Sequence, residues 1–469
     1  MGLHDLLASA PARADLVVAD GRRLSTAEVD AAAGSTAAGL RERGVGRGDP
    51  VAFQVPNGPD AVVLLRACWR LGAVAAPLHD RLGAVQVAAA LDQLGPVACV
   101  ASPGLPLTDV SGTATPADLL AGDAPPAAEP APYEDALVMF TSGSTGAPKG
   151  VLHTHGGLAG KVRQLLEVHG LDGDDVVLMP APLAHVSGLI HGVLVPGAAG
   201  MRAVLMDRWD PAAALDLIEA EGVTYMVGPP TFFLGLMDAP GFSPTRTRSL
   251  RLVSCGGTDV TPEFAERAGS ELGAVVKRSY GSTEAPTVAT SRFDDPPDRM
   301  KTTDGRPFGE TEFRIGDDGE VWVRGPEVAG GYLDPDQTAA SFVDGWFRTG
   351  DLGRLDDGWL TVTGRLDDRI IRGGENISAH EVEVHLMAHP AVDAAVVVGL
   401  PDERLGERVA AFVVAPDGFD LDACRAWFDE GGLTRLMVPE YLELVGEVPL
   451  TPTGKPDRAG LRDRPGARR

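Results

Sequence analysis

Short runs rich in valine, alanine and leucine punctuate the first two thirds of the chain, each closed by glycine, proline or aspartate. They read PVAFQVPNG, LGAVAAPL, GPVACVAS, ALVMFTSG, DVVLMPAPL, RAVLMD, VTYMVGPP, LRLVSCGG and AVVKRSYG. Helical stretches lie between them, for example Pro211 to Glu221 and Pro262 to Leu272. Apolar strands alternating with helices predict a parallel α/β sheet buried on both faces. In such sheets functional loops sit at the carboxyl ends of strands. The strand read in ALVMF runs directly into MFTSGSTGAPKG, which is therefore a candidate loop. Little is expected before a first helix at Thr26. The segment from Pro103 to Tyr133, rich in Pro, Ala, Gly and Asp, reads as a surface connection of low intrinsic order.

Near Gly309 the pattern changes. TEFRIGDDGEVWVRG and GDLGRLDDGWLTVTGRLDDRIIRGG alternate apolar and polar residues around Asp-Gly turns, which predicts antiparallel hairpins. After Arg372, SAHEVEVHLMAHPAVDAAVVVGLPD gives a helix and then a strand. A further strand in ERVAAFVVAP and a helix near Leu421 to Phe428 follow. This tail reads as a small α+β domain of about a hundred residues.

Composition narrows the partners. The chain of 469 residues is too long for one ordinary core, so two or more domains are expected. Hydrophobic content of 44% and charged content of 23% are those of a soluble globular protein. A net charge of -25 argues against nucleic acid and anionic membrane as partners. It also means that a polyanionic ligand needs a locally assembled cationic site. Cys68, Cys99, Cys255 and Cys424 are scattered without a CxxC pair, which argues against zinc and disulfides and fits a reducing cytoplasm. The first residues, MGLHDLLASAPARADLVVADG, lack the basic start and apolar core of a signal peptide, and Gly2 lacks the myristoylation context. The most membrane-like region, Ala181 to Met206, contains His185, His191, Pro196 and Arg202, so a buried helix and strand are expected there.

The loop MFTSGSTGAPKG has glycines that let backbone N–H groups point at an anion, hydroxyls that add donors, and a lysine that adds charge. That set suits a polyphosphate. It is neither a Walker loop nor a dinucleotide fingerprint. On composition alone, a mobile surface linker explains it equally well. The whole string resembles the phosphate loop of the adenylate-forming (acyl-activating) superfamily, written [YF]TSG[ST]TGxPKG. Four further stretches resemble motifs of that superfamily, in its order: SYGSTEAP (Ser279 to Pro286), RTGDLG (Arg348 to Gly353), GRLDDRIIRGGENISAHEVE (Gly364 to Glu383) and PLTPTGKPDR (Pro449 to Arg458). Together the five span the chain from Phe140 to Arg458.

The resemblance implies an α/β fold. It has a large N-terminal domain of stacked, mostly parallel α/β sheets with a small β subdomain, plus a small mobile α+β C-terminal domain. The domains are placed at 1–366 and 367–469, with a hinge at Asp367. It implies an ATP-dependent ligase of the acyl-CoA synthetase branch, which joins a carboxylate to AMP and then passes the acyl group to the thiol of CoA. A stand-alone adenylation enzyme that loads a carrier-protein thiol, and a catalytically dead nucleotide- or acyl-binding regulator, are the alternatives. By the same resemblance, Thr141, Ser142, Gly143, Ser144, Thr145, Gly146 and Lys149 hold phosphates. Gly256, Gly257, Ser279, Tyr280, Gly281, Ser282 and Thr283 line the nucleotide, and Glu284 holds Mg²⁺. Asp351 accepts the ribose hydroxyls, and Arg365 supports ribose or phosphate. Lys455 bridges the acyl carboxylate and the adenylate phosphate, and its acetylation by a lysine acetyltransferase would erase that charge. Arg372, Gly373, Gly374 and Glu375 flank CoA.

PLAHVSGL (Pro182 to Leu189) resembles the superfamily's PLxHxxGL stretch, which places His185 beside the acyl carboxylate. Val186, Val227, Gly228 and Cys255 complete the acyl pocket. Neither this stretch nor MVGPPTFF carries a lysine or arginine, so an apolar monocarboxylate is favoured over a dicarboxylate, which needs a second cationic anchor. SYGSTEAPTVAT adds a resemblance to ligases of medium-chain and alicyclic acids, within fatty-acid metabolism.

Overall fold

A computed structural model describes residues 2–120, 122–142, 148–258, 260–372, 375–402, 404–416, 418–430, 437–450 and 456–464. The chain divides into two compact units. The first comprises Met1–Phe313, Val323–Phe347 and Asp357–Leu360, and the second Arg314–Trp322, Arg348–Asp356 and Thr361–Arg469.

Two sheets organise the first unit. In the nine-stranded sheet the order is Arg306–Pro307, Ala289–Thr290, Val275–Tyr280, Leu252–Gly256, Tyr225–Gly228, Val176–Met179, Arg202–Leu205, Val17–Ala19 and Arg22–Leu24. The run from Val275–Tyr280 to Val17–Ala19 is parallel, and the outer strands are antiparallel. In the six-stranded sheet the order is Gly331–Tyr332, Pro148–Thr154, Asp135–Ser142, Val74–Leu78, Pro50–Gln54 and Ala98–Ala101. Residues alternate between faces along each strand. Val177 and Met179 therefore join a core shared with Phe53, Leu137 and Trp69, while Val176 and Leu178 join a second core with Met226, Val253 and Phe264. Both faces are buried, as a near-continuous apolar strand requires.

The helices fall where their caps put them. Helix Pro211–Glu221 starts after Asp210, whose carboxylate accepts the Ala213 N–H, and stops at Gly222 in the left-handed region. Helix Pro262–Leu272 starts after Thr261, whose hydroxyl accepts the Phe264 N–H, and stops at Gly273. Both are bounded by proline at the first turn and glycine past the last, an arrangement the backbone favours at those ends.

Two expectations are corrected. A helix, Leu3–Ala8, and the hairpin Val17–Ala19/Arg22–Leu24 precede Thr26. Leu3, Leu6 and Leu7 are buried, and Val17 pairs with Ala203, so this stretch completes the large sheet. The segment from Pro103 to Tyr133 is not loose. It forms two 3₁₀ turns, Pro106–Asp109 and Pro116–Leu119, that bury Leu107 and Leu119 completely. Gln54, buried in the neighbouring strand, accepts the Leu107 N–H at 2.9 Å. Ala181 to Met206 forms buried helical turns and the strand Arg202–Leu205, as expected.

In the second unit, strands Glu375–Ser378, Arg369–Arg372, Gly406–Val414 and Ala394–Asp402 form an antiparallel order, with Tyr441–Leu444 parallel to Gly406–Val414. Helices Ala379–Met387 and Leu421–Glu430 cover it through Val382, Leu386, Cys424 and Phe428. Of the Asp-Gly turns expected in the hairpin region, Asp357-Gly358, in the first unit, has two positive φ angles, the requirement of a type I′ hairpin, whereas at Asp318-Gly319 only the glycine does, with φ +82°.

Candidate active site

Three parallel strands end side by side. Register pairs Val227 with Ser254 and Gly228 with Cys255, then Cys255 with Arg278 and Gly256 with Ser279. Val227, Gly228, Cys255, Gly256, Ser279 and Tyr280 are thus brought together at one carboxyl edge. Ser254 and Ser279 share a hydroxyl bond of 2.6 Å. Gly256 is required there, because a Cβ would stand 2.1 Å from the Ser279 carbonyl oxygen. Gly257 follows with φ +81°. A Cβ at Gly228 would meet the Phe232 ring at 2.5 Å, and that ring stacks on Trp209 with centroids 4.6 Å apart. The Cys255 thiol is fully buried and pushed up by burial, which makes it an inert wall. Arg278 lies next to Cys255 in register, but its guanidinium is committed to Asp304 at 2.8 Å and to the Lys301 carbonyl.

His185 precedes the turn Val186–Leu189, and its ring meets His79 edge-on at 5.2 Å. Asn57 fixes this segment. Its Nδ2 donates to the Ala181 and Met206 carbonyls at 2.8 and 3.0 Å, and its Oδ1 accepts the Leu183 N–H at 2.8 Å. Neither Asn57 nor His79 was singled out by the sequence.

The candidate phosphate loop joins an antiparallel hairpin, Asp135–Ser142 with Pro148–Thr154, in which Thr141 pairs with Lys149. Gly143, Ser144, Thr145 and Gly146 lie outside the described residues, as does the side chain of Ser142. The Lys149 ammonium lies 5.7 Å from the centre of the Tyr332 ring. The Tyr332 hydroxyl donates to Glu284 Oε1 at 2.8 Å.

The turn carrying Glu284 is clamped. Ser282 N–H donates to the Ala285 carbonyl at 3.0 Å, and Ala329 N–H to the Glu284 carbonyl at 2.7 Å. His153 Nε2–H donates to the Thr283 carbonyl at 2.8 Å. Burial pushes the His153 imidazole down to about 4, so it is neutral at pH 7. Behind the turn, the buried Lys161 ammonium donates to the Thr287 carbonyl at 3.1 Å and lies 3.6 Å from Glu327. Burial brings Lys161 down to about 8 against the pull of Glu327. His153, Lys161 and Tyr332 were missed because each is a lone side chain on a core face.

Four buried histidines make a test of this packing. Burial lowers His153 and His155 to about 4 and His191 to about 3, and holds His169 well below 6.5. The unfolded imidazoles titrate near 6.5. As pH falls from about 6.5 toward 4, the unfolded chain gains protons the folded one refuses, so stability is present above that window and lost through it. A shift of His153's size is worth on the order of 3 kcal/mol. Thermal melts are expected to lose midpoint steeply between pH 6.5 and 4. A flat midpoint across that range would contradict the burial.

In the second unit, Arg365 Nη1 approaches Asp351 Oδ1 at 3.2 Å. Asp351 is 8% exposed. Its N–H donates to Thr349 Oγ1 at 3.0 Å, and the Gly350 N–H donates to Glu320 Oε1 at 2.9 Å. The Asp367 carbonyl accepts from Arg462 Nη2 at 3.4 Å. Arg372 pairs with Glu440, whose Oε2 also accepts the Val409 N–H at 2.8 Å. Arg372 and Glu375 face each other across a hairpin. Gly373, Gly374 and Lys455 lie outside the described residues, as does the side chain of Glu375. The flanks of Lys455 are fixed: Leu450 bridges Pro456, and Arg458 pairs with Glu383 and with Asp368.

A sequence family described as "AMP-binding enzyme" matches residues 6–333, and one described as "AMP-binding enzyme C-terminal domain" matches residues 381–455. The chain belongs to the AMP-binding enzyme family. Among similar proteins, a medium-chain fatty-acid–CoA ligase of Escherichia coli (strain K12) is 33% identical, over 92% of this chain and 84% of its own. A feruloyl-CoA synthase of an Amycolatopsis species is 36% identical, over 95% and 94%. The crystal structure of ATP-bound MatB from Rhodopseudomonas palustris superposes with a TM-score of 0.92 at 26% identity, covering 99% of each chain. The adenylate-forming membership and the α/β fold expected from the five motifs are borne out, and the acid–thiol ligase class agrees with these CoA-ligase relatives.

Proposed function

We propose that the protein is an ATP-dependent acyl-CoA synthetase acting on an apolar monocarboxylic acid. The observation that carries this is the convergence at Tyr332. There the phosphate-loop lysine and Glu284 of SYGSTE, which follows the Ser279–Tyr280 strand end, meet one ring. The acid class rests on the walls. Val186, Val227 and Cys255 are buried, and the arginine beside them is already paired.

In this reading the acid's carboxylate attacks the α-phosphorus of ATP. The α–β phosphoanhydride breaks, and pyrophosphate leaves. Both reactants are anions, so the site must neutralise charge and align the attack. Thr141, Ser142, Ser144, Thr145 and Lys149 would hold the β and γ phosphates, Tyr280 would flank adenine, and Asp351 would accept the ribose hydroxyls. Lys455 would bridge carboxylate and phosphate, and its acetylation would remove that charge. The thiol of CoA then attacks the acyl carbon beside Arg372, Gly373 and Gly374, the thiol proton is released, and AMP leaves. A swing of domain 367–469 about Asp367 would exchange the two sets of residues.

Glu284 fits Mg²⁺. It is one carboxylate with acceptor capacity beyond its bond to Tyr332, and Mg²⁺ prefers few protein oxygens beside phosphate and water. The cation would neutralise phosphate charge. Among the described residues no helix is long and apolar enough to cross a membrane, and all four cysteines are free thiols. A reducing cytoplasmic setting is the location that goes with this reading.

The test is a panel of carboxylic acids with Mg·ATP and CoA. Acid-dependent pyrophosphate exchange, with AMP and acyl-CoA appearing at matching rates, is expected for apolar monocarboxylates. Exchange without acyl-CoA would move the acceptor to a carrier-protein thiol. Preference for a dicarboxylate would overturn the acid class.

A further inference from the structure

We infer that Tyr332 is a positioning residue that keeps Lys149 and Glu284 from pairing with each other and aims each at a different part of the same ligand. The inference rests on the synthetase reading above and adds a residue to it.

The placement follows from register. Strand Gly331–Tyr332 is only two residues long, and it pairs Tyr332 with Val151. Side chains at i and i+2 of a strand share a face, so Lys149, Val151 and Tyr332 point to the same side of the sheet. Tyr332 is then held from three directions. Its N–H donates to Thr338 Oγ1 at 2.8 Å. Phe342 meets its ring edge-on at 5.7 Å. Gly331, at φ +145°, lets Thr338 come so close that a Cβ would stand 2.7 Å from its methyl carbon. The ring is 7% exposed and has little room to turn.

Such a ring does two things at once. Its face gives the Lys149 ammonium a weak partner that phosphate oxygens can outcompete. Its hydroxyl gives Glu284 one hydrogen bond and leaves the carboxylate able to bind a cation. Without the ring, a flexible ammonium and a carboxylate facing one space would neutralise each other. The phosphates would then lose a cation and the metal would lose a ligand. In a chain of net charge -25, few other groups could replace that cation.

Three variants of the full chain separate the two roles: Tyr332→Phe, Tyr332→Leu and Tyr332→Leu/Glu284→Gln. Two binding readouts apply, Mn²⁺ affinity of the protein–ATP complex by electron paramagnetic resonance and ATP affinity in EDTA. Tyr332→Phe keeps the ring and is expected to weaken Mn²⁺ about 10-fold, the usual cost of losing a partner behind a metal ligand, with metal-free ATP binding unchanged. Tyr332→Leu is expected to weaken both about 10-fold or more. Adding Glu284→Gln to it should restore metal-free ATP binding, because Lys149 is released. Wild-type Mn²⁺ affinity in Tyr332→Phe, or no restoration in the double variant, overturns the inference. A wild-type protein that binds Mn·ATP and responds in this way, yet shows no pyrophosphate exchange with any acid, would overturn the synthetase reading and leave this one standing.

Discussion

Lys455→Ala is expected to slow acid-dependent pyrophosphate exchange by about 10²–10³-fold, the usual cost of removing one group that stabilises transition-state charge. The joining of two anions is the step that most needs a cation, and a lysine can contact oxygens of both. The described residues that flank Lys455 are fixed. Leu450 and Pro456 form a bridge, and the Asp457 N–H donates to the Pro449 carbonyl at 2.8 Å. Just beyond it, Arg458 is pinned by both oxygens of Glu383 and by the Val397 carbonyl. The described residues on either side of Lys455 are thus anchored to the rest of their unit. Thioester formation from supplied acyl-adenylate and CoA is expected to stay within a few-fold of wild type, because that step begins after the anions have been joined. Equal losses in both half-reactions would show that the substitution damages the fold instead. Unchanged exchange would remove Lys455 from the first step.

What the sequence made legible follows from how local each signal is. Helices Pro211–Glu221 and Pro262–Leu272 were readable to their ends because their caps are adjacent residues. The strand cores were readable because burial on both faces keeps them mostly apolar, with buried polar exceptions such as Gln54, Ser254, Lys277 and Arg278. The N-terminal hairpin was passed over although it carries the same signal. Asp20-Gly21 has two positive φ angles, just like Asp357-Gly358. Its strands have three residues each and are stable only because Val17–Ala19 pairs with the distant Arg202–Leu205. The segment from Pro103 to Tyr133 misled for a related reason. Its order comes from Gln54 and from a helix glycine, Gly39, that lies against the Leu119 backbone. In the site, the residues that form a string could be read as a motif. His153, Lys161 and Tyr332 act across long sequence separations, so only the fold reveals what they hold.

Gly281→Ala is expected to cut pyrophosphate exchange about 100-fold, without touching a group that contacts substrate in this reading through its side chain. A Cβ at Gly281 would stand 2.3 Å from the Thr287 nitrogen, 2.8 Å from the Ala285 carbonyl oxygen and 2.9 Å from the Thr287 Cα. All three are backbone atoms, so no side chain can swing aside. Ordinary contact needs the turn to open by about 1 Å, and a displacement of that size at a positioned group costs about 10²-fold in rate. The turn cannot open freely. His153 and the Ala329 N–H hold Thr283 and Glu284, and Lys161 holds the Thr287 carbonyl. Part of the strain is therefore expected as lost stability of about 1–3 kcal/mol. Gly160→Ala supplies the control. It lies within helix His155–His169, where an added Cβ meets nothing within 4 Å, so exchange should match wild type and stability should hold or rise slightly. Wild-type exchange in Gly281→Ala would mean that the Glu284 turn stands away from the reacting phosphates. Loss of exchange in both glycine variants would mean that the assay is reporting general fragility.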